Sequence, residues 1–455
     1  MKRTLALISA LCCLCILLAG CNLIKVNTTE VAKDEFAELK KEYDTVLAEY
    51  DGGTVTRFDI MNSLNYSAQM YYYIYGTTMP SSELSSYVSS AVDTEVSARA
   101  VQLQFEKRGL ELDESEEEIR SEADAEWQEA YDYYYSIAEG ETDEEKAIRT
   151  EMELYGIGYS KERLYRGELV GHQQPVLQDS VEQEIESVTD EQLQEAYEAK
   201  VSEDEASYTS SPSSIEQNAT NANTIICWYP EGYRTVKHIL IKPDEEALKA
   251  VTDARDAYNT AVSEIAKLNE ELAQEDDEAE AAERSADDIS ADIAARESEL
   301  PELEAAVAQA EQACIDSAKD RIDEVYAALE SGTSFDQVME EYGEDPGMQS
   351  EPAKTTGYYV AEGSTTWDSN FTEGAMALAQ AGDYSAAPVI SSSGIHIIYY
   401  QSDVQSGPVA LEDVHDALYD ATLDDMRAQH YQESLESWIK DMNVEYHLDR
   451  WTVGK

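Results

Sequence analysis

The sequence predicts an α+β chain: a mostly helical, discontinuous domain plus a smaller domain with an antiparallel sheet and flanking helices, the latter interrupted by a long helical coiled-coil hairpin. Three observations predict it. Apolar residues recur at three- and four-residue steps from Arg57 to Val188 and again from Leu411 to Ile439. Two β-branched runs, Thr235 to Ile241 and Gly394 to Tyr400, lie far apart, and heptad-spaced apolar residues fill much of the interval. The 455 residues are enough for roughly three domains of about 150 residues each. With 95 Asp+Glu against 32 Lys+Arg, a formal net charge of -63 and no basic block, the chain is excluded from nucleic-acid binding, which needs clustered cations on phosphates. Thirty Tyr and regularly spaced aliphatic residues give it buriable surface that a disordered acidic chain lacks.

At the N-terminus, Lys2 and Arg3 precede an apolar run from Leu5 to Ala19, the layout of an export signal and too short to span a membrane comfortably. The run ends Leu18-Ala19-Gly20-Cys21, which resembles the lipobox of bacterial lipoproteins. That resemblance implies removal of residues 1–20, a diacylglyceryl group on Cys21, and localisation at the extracytoplasmic face of the cell membrane. Cleavage would also remove Cys12, Cys13 and Cys15. Cys227 and Cys314 then remain beside an acylated Cys21, and two unpaired thiols are expected, although an oxidising compartment would allow a disulfide.

Residues 21–44 read as a tether with a partly helical end, and 45–202 as an N-terminal helical region. The latter opens with a β-hairpin, because Val46 to Ala48 and Thr54 to Thr56 flank Asp51-Gly52-Gly53, whose glycines suit a turn. Thr189-Asp190-Glu191-Gln192 has capping-box spacing and predicts a helix to about Val201. Residues 203–232, rich in Ser, Thr, Asn and Glu up to 224, read as a flexible linker. The second domain spans 233–402 and contains an inserted antiparallel hairpin over 244–315, with a charged break from Glu275 to Ser285 between its arms and Pro301 expected to kink the returning arm. Residues 403–455 form a C-terminal helix that completes the first domain.

His238 and His396 each share a strand face with aliphatic residues, and either alone is an ordinary core histidine. The residues around and between them have a familiar order: Val236 to Ile241 with its His-Ile-Leu, the segment Phe335-Asp336 to Tyr342, Gly357, Phe371, Ala375 to Leu378, Pro388-Val389 and Ser393 to Ile398. In this order the chain resembles the parvulin family of peptidyl-prolyl isomerases, and as a whole it resembles lipid-anchored extracytoplasmic foldases that carry a parvulin domain between chaperone segments. The resemblance implies a central histidine pair, His238 and His396. It further implies that Asp345 is the acidic position facing the imide and that Ser393 supplies the hydroxyl joining the network. Phe371, Trp367 and Thr356 would wall the proline pocket, Thr356 standing where the family usually has Leu. The implied partners are unfolded or partly folded exported polypeptides, with the membrane through the lipid anchor and a protein partner at the hairpin; no cofactor is implied. Lys354-Thr355-Thr356-Gly357 departs from the family's Gly-Asp-Leu-Gly, and Pro346 directly follows Asp345. The alternative reading is a holding chaperone or scaffolding lipoprotein with a degenerate parvulin domain.

Tyr71, Tyr72, Tyr73 and Tyr75, with Tyr131, Tyr133, Tyr134 and Tyr135, either line a groove for unfolded peptide or pack as amphipathic helices. No His, Cys and carboxylate spacing marks a metal site, and neither a glycine-rich phosphate loop nor a Gly-x-Ser-x-Gly turn is present. His172, His415, His430 and His447 are scattered and read as structural or exposed.

Overall fold

A computed structural model describes residues 27–275 and 284–451. These fall into two compact units: 27–187 with 423–451, and 188–275 with 284–422.

The first unit begins with α1 (Thr28–Tyr43), β1 (Val46–Tyr50) and β2 (Gly53–Thr56), and continues through α2 (Arg57–Tyr75), α3 (Ser81–Arg108), α4 (Glu116–Ile137), α5 (Asp143–Gly156) and α6 (Lys161–Glu182). The end of the expected tether is a packed helix. Ala32 is buried, Phe36 meets Tyr155 edge-on at 5.7 Å between ring centroids, and the Tyr43 hydroxyl donates to the Gly156 carbonyl at 3.0 Å. Weak helical spacing suffices there because α5 supplies the apolar partner that an isolated segment lacks. The β-hairpin turns at Asp51-Gly52, with Gly52 at φ 105°, a conformation open to glycine. Beneath it Leu47, Val55, Ile60, Leu64, Val88 and Val92 form a core, in which Asp59 is buried with Glu95 and Arg99. Arg166 meets Asp59 at 2.6 Å and Arg163 bonds Glu95, so α2, α3 and α6 are joined by paired charges. Pro175 does not interrupt α6; it is exposed, and the carbonyl it leaves unpaired can be hydrated.

The second unit opens with α7 (Asp190–Ser210) and α8 (Ser214–Asn218). The Thr189 capping box forms as its spacing predicts, with Gln192 N–H donating to Thr189 Oγ1 at 3.3 Å, but α7 extends past Val201. The first part of the stretch expected as a flexible linker is therefore helical, to Ser210 in α7 and again over Ser214–Asn218 in α8. Its composition is polar, yet Tyr208 and Ile215 are buried against Tyr233, and the Cys227 N–H donates to the buried Asp204 carboxylate at 2.7 Å. Sparse apolar anchors, invisible as a periodicity, hold it down. Next come β3 (Trp228–Tyr229), β4 (Arg234–Ile241), α9 (Glu245–Glu275), α10 (Ala286–Ser317), α11 (Lys319–Glu330), α12 (Phe335–Tyr342), α13 (Ala353–Thr356), β5 (Tyr358–Val360), α14 (Ser369–Met376), β6 (Val389–Ser391), β7 (Gly394–Asp403) and β8 (Gly407–Pro408). Helices α9 and α10 pair antiparallel, as the ion pairs Arg255–Glu311 (2.7 Å) and Arg296–Glu264 (3.1 Å) show by stepping in opposite directions along the two arms. Most of the charged break between them, 276–283, lies outside the described residues. Pro301 leaves α10 continuous, again from an exposed position. Cys227 and Cys314 are free and buried.

Strands β5, β4, β7 and β6 form an antiparallel sheet in that order. Its faces are chemically distinct. Ile239, Ile241, Ile395 and Ile397 point to a core built with Val251, Cys314, Ile322, Val325, Phe335 and Val338. The opposite face carries Val236, His238, His396 and Ile398 and is covered by Phe371 and Ala375 of α14. Helix α15 (Leu411–Asp441) starts in this unit, and its residues from Leu423 onward belong to the first. There Tyr431, Leu435, Trp438 and Met442 join the helical cores, and β9 (Glu445–Tyr446) adds a third strand beside β1.

Candidate active site

Register places the two histidines together. His238 lies opposite Ile398 and His396 opposite Leu240, so the rings are diagonal neighbours on one face of the β4–β7 ladder. Their Nδ1 atoms are 2.9 Å apart, and the residues are only 3% and 4% exposed. Asp345 reaches them from the loop after α12. The Glu344 N–H donates to the Leu240 carbonyl at 2.9 Å, which holds that loop against β4 and brings Asp345 Oδ2 to 2.8 Å from His238 Nε2.

The network extends in both directions through residues that the sequence reading did not assign. Tyr358 donates its hydroxyl to Asp345 Oδ2 at 2.9 Å, and the Gly347 N–H donates to Oδ1 at 3.0 Å. Tyr358 pairs with Val236 on the histidine face, immediately after Gly357, which has φ 84° and whose added Cβ would lie 2.6 Å from the Val236 carbonyl oxygen. The signal for Tyr358 was this glycine, since a close approach of two backbones fixes the next side chain against the neighbouring strand. At the other end the serine expectation is corrected. Ser391, not Ser393, places its Oγ 2.6 Å from His396 Nε2; Ser393 is exposed and reaches the network only through its N–H, which donates to Ser391 Oγ at 3.0 Å. The reason is the tight turn between β6 and β7: Ser391 pairs with Gly394 and faces back across the sheet, whereas Ser393 sits in the turn itself.

One proton arrangement that satisfies every atom in this line keeps both rings neutral. In it, Ser391 O–H donates to His396 Nε2, His396 Nδ1–H donates to His238 Nδ1, and His238 Nε2–H donates to Asp345. Electrostatics agree. Burial, then the neighbouring His238, pulls His396 down to about 3, keeping it neutral. Burial alone would raise Asp345, but the hydrogen bonds it accepts from His238, the Gly347 N–H and the Tyr358 hydroxyl hold the carboxyl at about 2. Burial and then Asp345 push the Tyr358 hydroxyl well above its usual value, so it stays a donor.

Aromatic rings border the pair. Phe371 stands edge-on to His238 at 5.2 Å and to His396 at 5.1 Å between centroids, and is itself 4% exposed. Trp367 stacks on Tyr358 at 4.4 Å, lies 6.2 Å from Phe371, and donates its indole N–H to the Tyr359 carbonyl at 2.8 Å. Thr356 is not part of this wall. It ends α13, is exposed, and donates its hydroxyl to the Pro352 carbonyl at 2.9 Å, because the positive φ of Gly357 turns the chain before the strand begins. A groove of about 520 Å³ adjoins the site, lined by Gly374, Leu378, Tyr384 and Val389; Val389 is the register partner of His396.

Residues 303–402 match the family model described as a rotamase, PPIC-type PPIase domain. The chain carries a parvulin domain. The match starts inside α10, so β4 with His238 lies upstream of it, separated by the helical hairpin. Among solved structures, the chain is similar to the peptidylprolyl isomerase PrsA from Bacillus anthracis, at 12% identity over 78% of this chain and 97% of that one, with a TM-score of 0.18. It is also similar to a structure from Campylobacter jejuni reported with PEB4 and Cj1289 as SurA-like chaperones, at 13% identity over 88% and 100%, with a TM-score of 0.19. No curated protein matches.

Proposed function

We propose that this chain is a lipid-anchored extracytoplasmic foldase that accelerates rotation about X-Pro bonds at the His238–His396 site and holds partly folded exported polypeptides. The observation that carries this reading is the unbroken hydrogen-bonded line from Asp345 through both imidazoles to Ser391, bordered by Phe371 and Trp367 in a domain of this family. X-Pro rotation crosses a barrier of about 18–20 kcal/mol set by amide resonance, and no covalent bond changes. A nucleophile is unnecessary. A fixed anion such as Asp345 disfavours the planar amide, whose carbonyl oxygen carries resonance charge, relative to the twisted state that has lost it. An interlocked network keeps that field steady, and an apolar rim removes competing water. Uncatalysed rotation takes about 10–100 s, long enough to delay folding after export. The adjoining groove would receive residues flanking the proline.

The holding role is supported by α2, whose last turns expose Tyr66, Tyr72, Tyr73, Ile74 and Tyr75, Tyr73 to 84%. Tyr131 and Tyr135 on α4 stack on each other instead, which fits packing rather than a groove. Anchoring rests on Leu18-Ala19-Gly20-Cys21, outside the described residues. Among the described residues no helix is long and apolar enough to cross a membrane. Acyl chains contribute about 0.8 kcal/mol per buried methylene, so two or three suffice as an anchor. Loss of radiolabelled acyl incorporation in Cys21→Ala is the expected result.

The near-complete burial of Phe371 and both histidines favours a second reading, a parvulin domain that binds without catalysis because its own rings fill the slot. A protease-coupled isomerisation assay separates the two. Catalysis predicts that His238→Ala and Asp345→Ala lower kcat/KM on the order of 10- to 100-fold with unchanged circular dichroism. Rates equal to wild type in both variants would remove the assignment of the site. A wild-type chain that suppresses aggregation but shows no isomerisation would leave the binding reading.

A further inference from the structure

Helices α4 and α6 are laced together by charge pairs: Asp124 with Lys161 at 3.1 Å, then Arg120 with Glu162 at 3.5 Å. One step further along the same contact, the pattern breaks. Glu168 and His172 are four apart on α6 and share a face, and Glu122 of α4 and Glu114 just before it stand opposite. Among the described residues, no Lys or Arg lies within ion-pair distance of Glu114, Glu122 or Glu168. Three carboxylates thus meet around one imidazole, where the neighbouring rungs each hold a cationic side chain.

We propose that His172, Glu168 and Glu122 form a binding site for a divalent transition metal of the Zn²⁺ class, with Glu114 as the outer carboxylate that orients the imidazole. One ligand atom from each of the three lies within 4.8 Å of the others, a separation that small rotamer adjustments close around one ion. His172 Nδ1 is 2.6 Å from Glu114 Oε2, and Nε2 is 3.7 Å from Glu122 Oε2. With Nδ1–H donating to Glu114, the ring carries its lone pair on Nε2, toward Glu122. A carboxylate behind a histidine in this way fixes the tautomer and raises ligand basicity. A nitrogen donor beside two carboxylates selects Zn²⁺, Co²⁺, Ni²⁺ or Cu²⁺ over Mg²⁺ and Ca²⁺, which take oxygen donors; water would complete the coordination. The linear sequence hides the set because Glu122 and His172 come from different helices. A bound ion would pin α4 to α6 where, among the described residues, no Lys or Arg pair does.

The test is Co²⁺ and Zn²⁺ binding to the full chain purified in detergent, with excess Mg²⁺ present to suppress weak binding to its many carboxylates. The expected result is one Co²⁺ per chain with visible absorption bands, displaced by Zn²⁺, and a rise in melting temperature on Zn²⁺ addition. Glu116→Gln, an exposed neighbour, should leave this unchanged. His172→Ala and Glu168→Gln should abolish the bands, and Glu114→Gln, which keeps all three ligands, should weaken affinity about 10- to 100-fold. Equal Co²⁺ affinity in wild type and His172→Ala, or complete displacement by Mg²⁺, would overturn the proposal. If His172→Ala does not fold, the isosteric Glu168→Gln and Glu114→Gln decide alone. Isomerase activity is independent of this outcome.

Discussion

Asp345 and His396 belong to one hydrogen-bonded line, on either side of His238, and both make the folded state resist protonation. His396 is held at about 3, first by burial and then by His238, against roughly 6.5 in an unfolded chain. Between those values the unfolded state binds a proton that the folded state refuses, so His396 makes stability fall as pH drops below about 6.5. Asp345, at about 2 despite its burial, contributes stability that is complete above about 3.9 and lost as pH falls toward 2. Chemical denaturation at several pH values should show wild type losing stability between pH 6.5 and 4 faster than His396→Asn, by up to about 1.4 kcal/mol per pH unit. Parallel curves for the two would mean that His396 is not held neutral. Tyr358→Phe removes one donor from Asp345, so the carboxyl should titrate upward from about 2 while the fold persists; carboxyl-carbon NMR would record it.

Among the elements, the α9–α10 hairpin has two parts with different roles. Its base belongs to the sheet core, where Val251 and Cys314 are buried with Ile239 and Ile397. Arg255 there pairs with Glu311 and donates to the Ile390 carbonyl at 3.0 Å, which clamps β6 one residue before Ser391. The distal arms are mostly exposed, and their ion pairs lie between solvated side chains of little individual worth. Shortening both arms by matched helical turns beyond Tyr258 should leave isomerase activity within about twofold and cost little stability. Arg255→Ala should instead destabilise the second unit by about 1–3 kcal/mol, read by denaturant unfolding, because it strips a partner from β6 and leaves Glu311 unpaired. An active-site penalty from shortening the arms alone would show that the tip reaches the chemistry.

Across the whole molecule the dominant feature is charge. A formal net charge of -63 over 455 residues favours solubility and opposes compaction by self-repulsion. Screening shortens the reach of that repulsion to about 10 Å at 0.1 M salt. The melting temperature should therefore rise by a few degrees between low salt and about 0.5 M NaCl, and a fall would mean that specific surface pairs outweigh the net repulsion. The same field would draw in basic non-native segments, so aggregation suppression of a basic client should weaken over the same salt range.

What the sequence settled by itself were features carried by local spacing: the β-hairpin at Asp51-Gly52, the Thr189 capping box, the two long β-branched strands, and the paired arms between them. Through its resemblance it also named His238, Asp345, His396, Phe371 and Trp367, which the structure brings within one network of hydrogen bonds and ring contacts. Only the tertiary structure decided which serine meets His396, that Tyr358 rather than Thr356 borders the site, that the helix opened at Thr189 runs past Val201 to Ser210, and that His172 faces carboxylates from a second helix. Each of those depends on register, turn geometry or a partner element far away in the chain. Local periodicity fixes what a segment becomes, whereas the side chains it meets are set by how strands pair and helices pack.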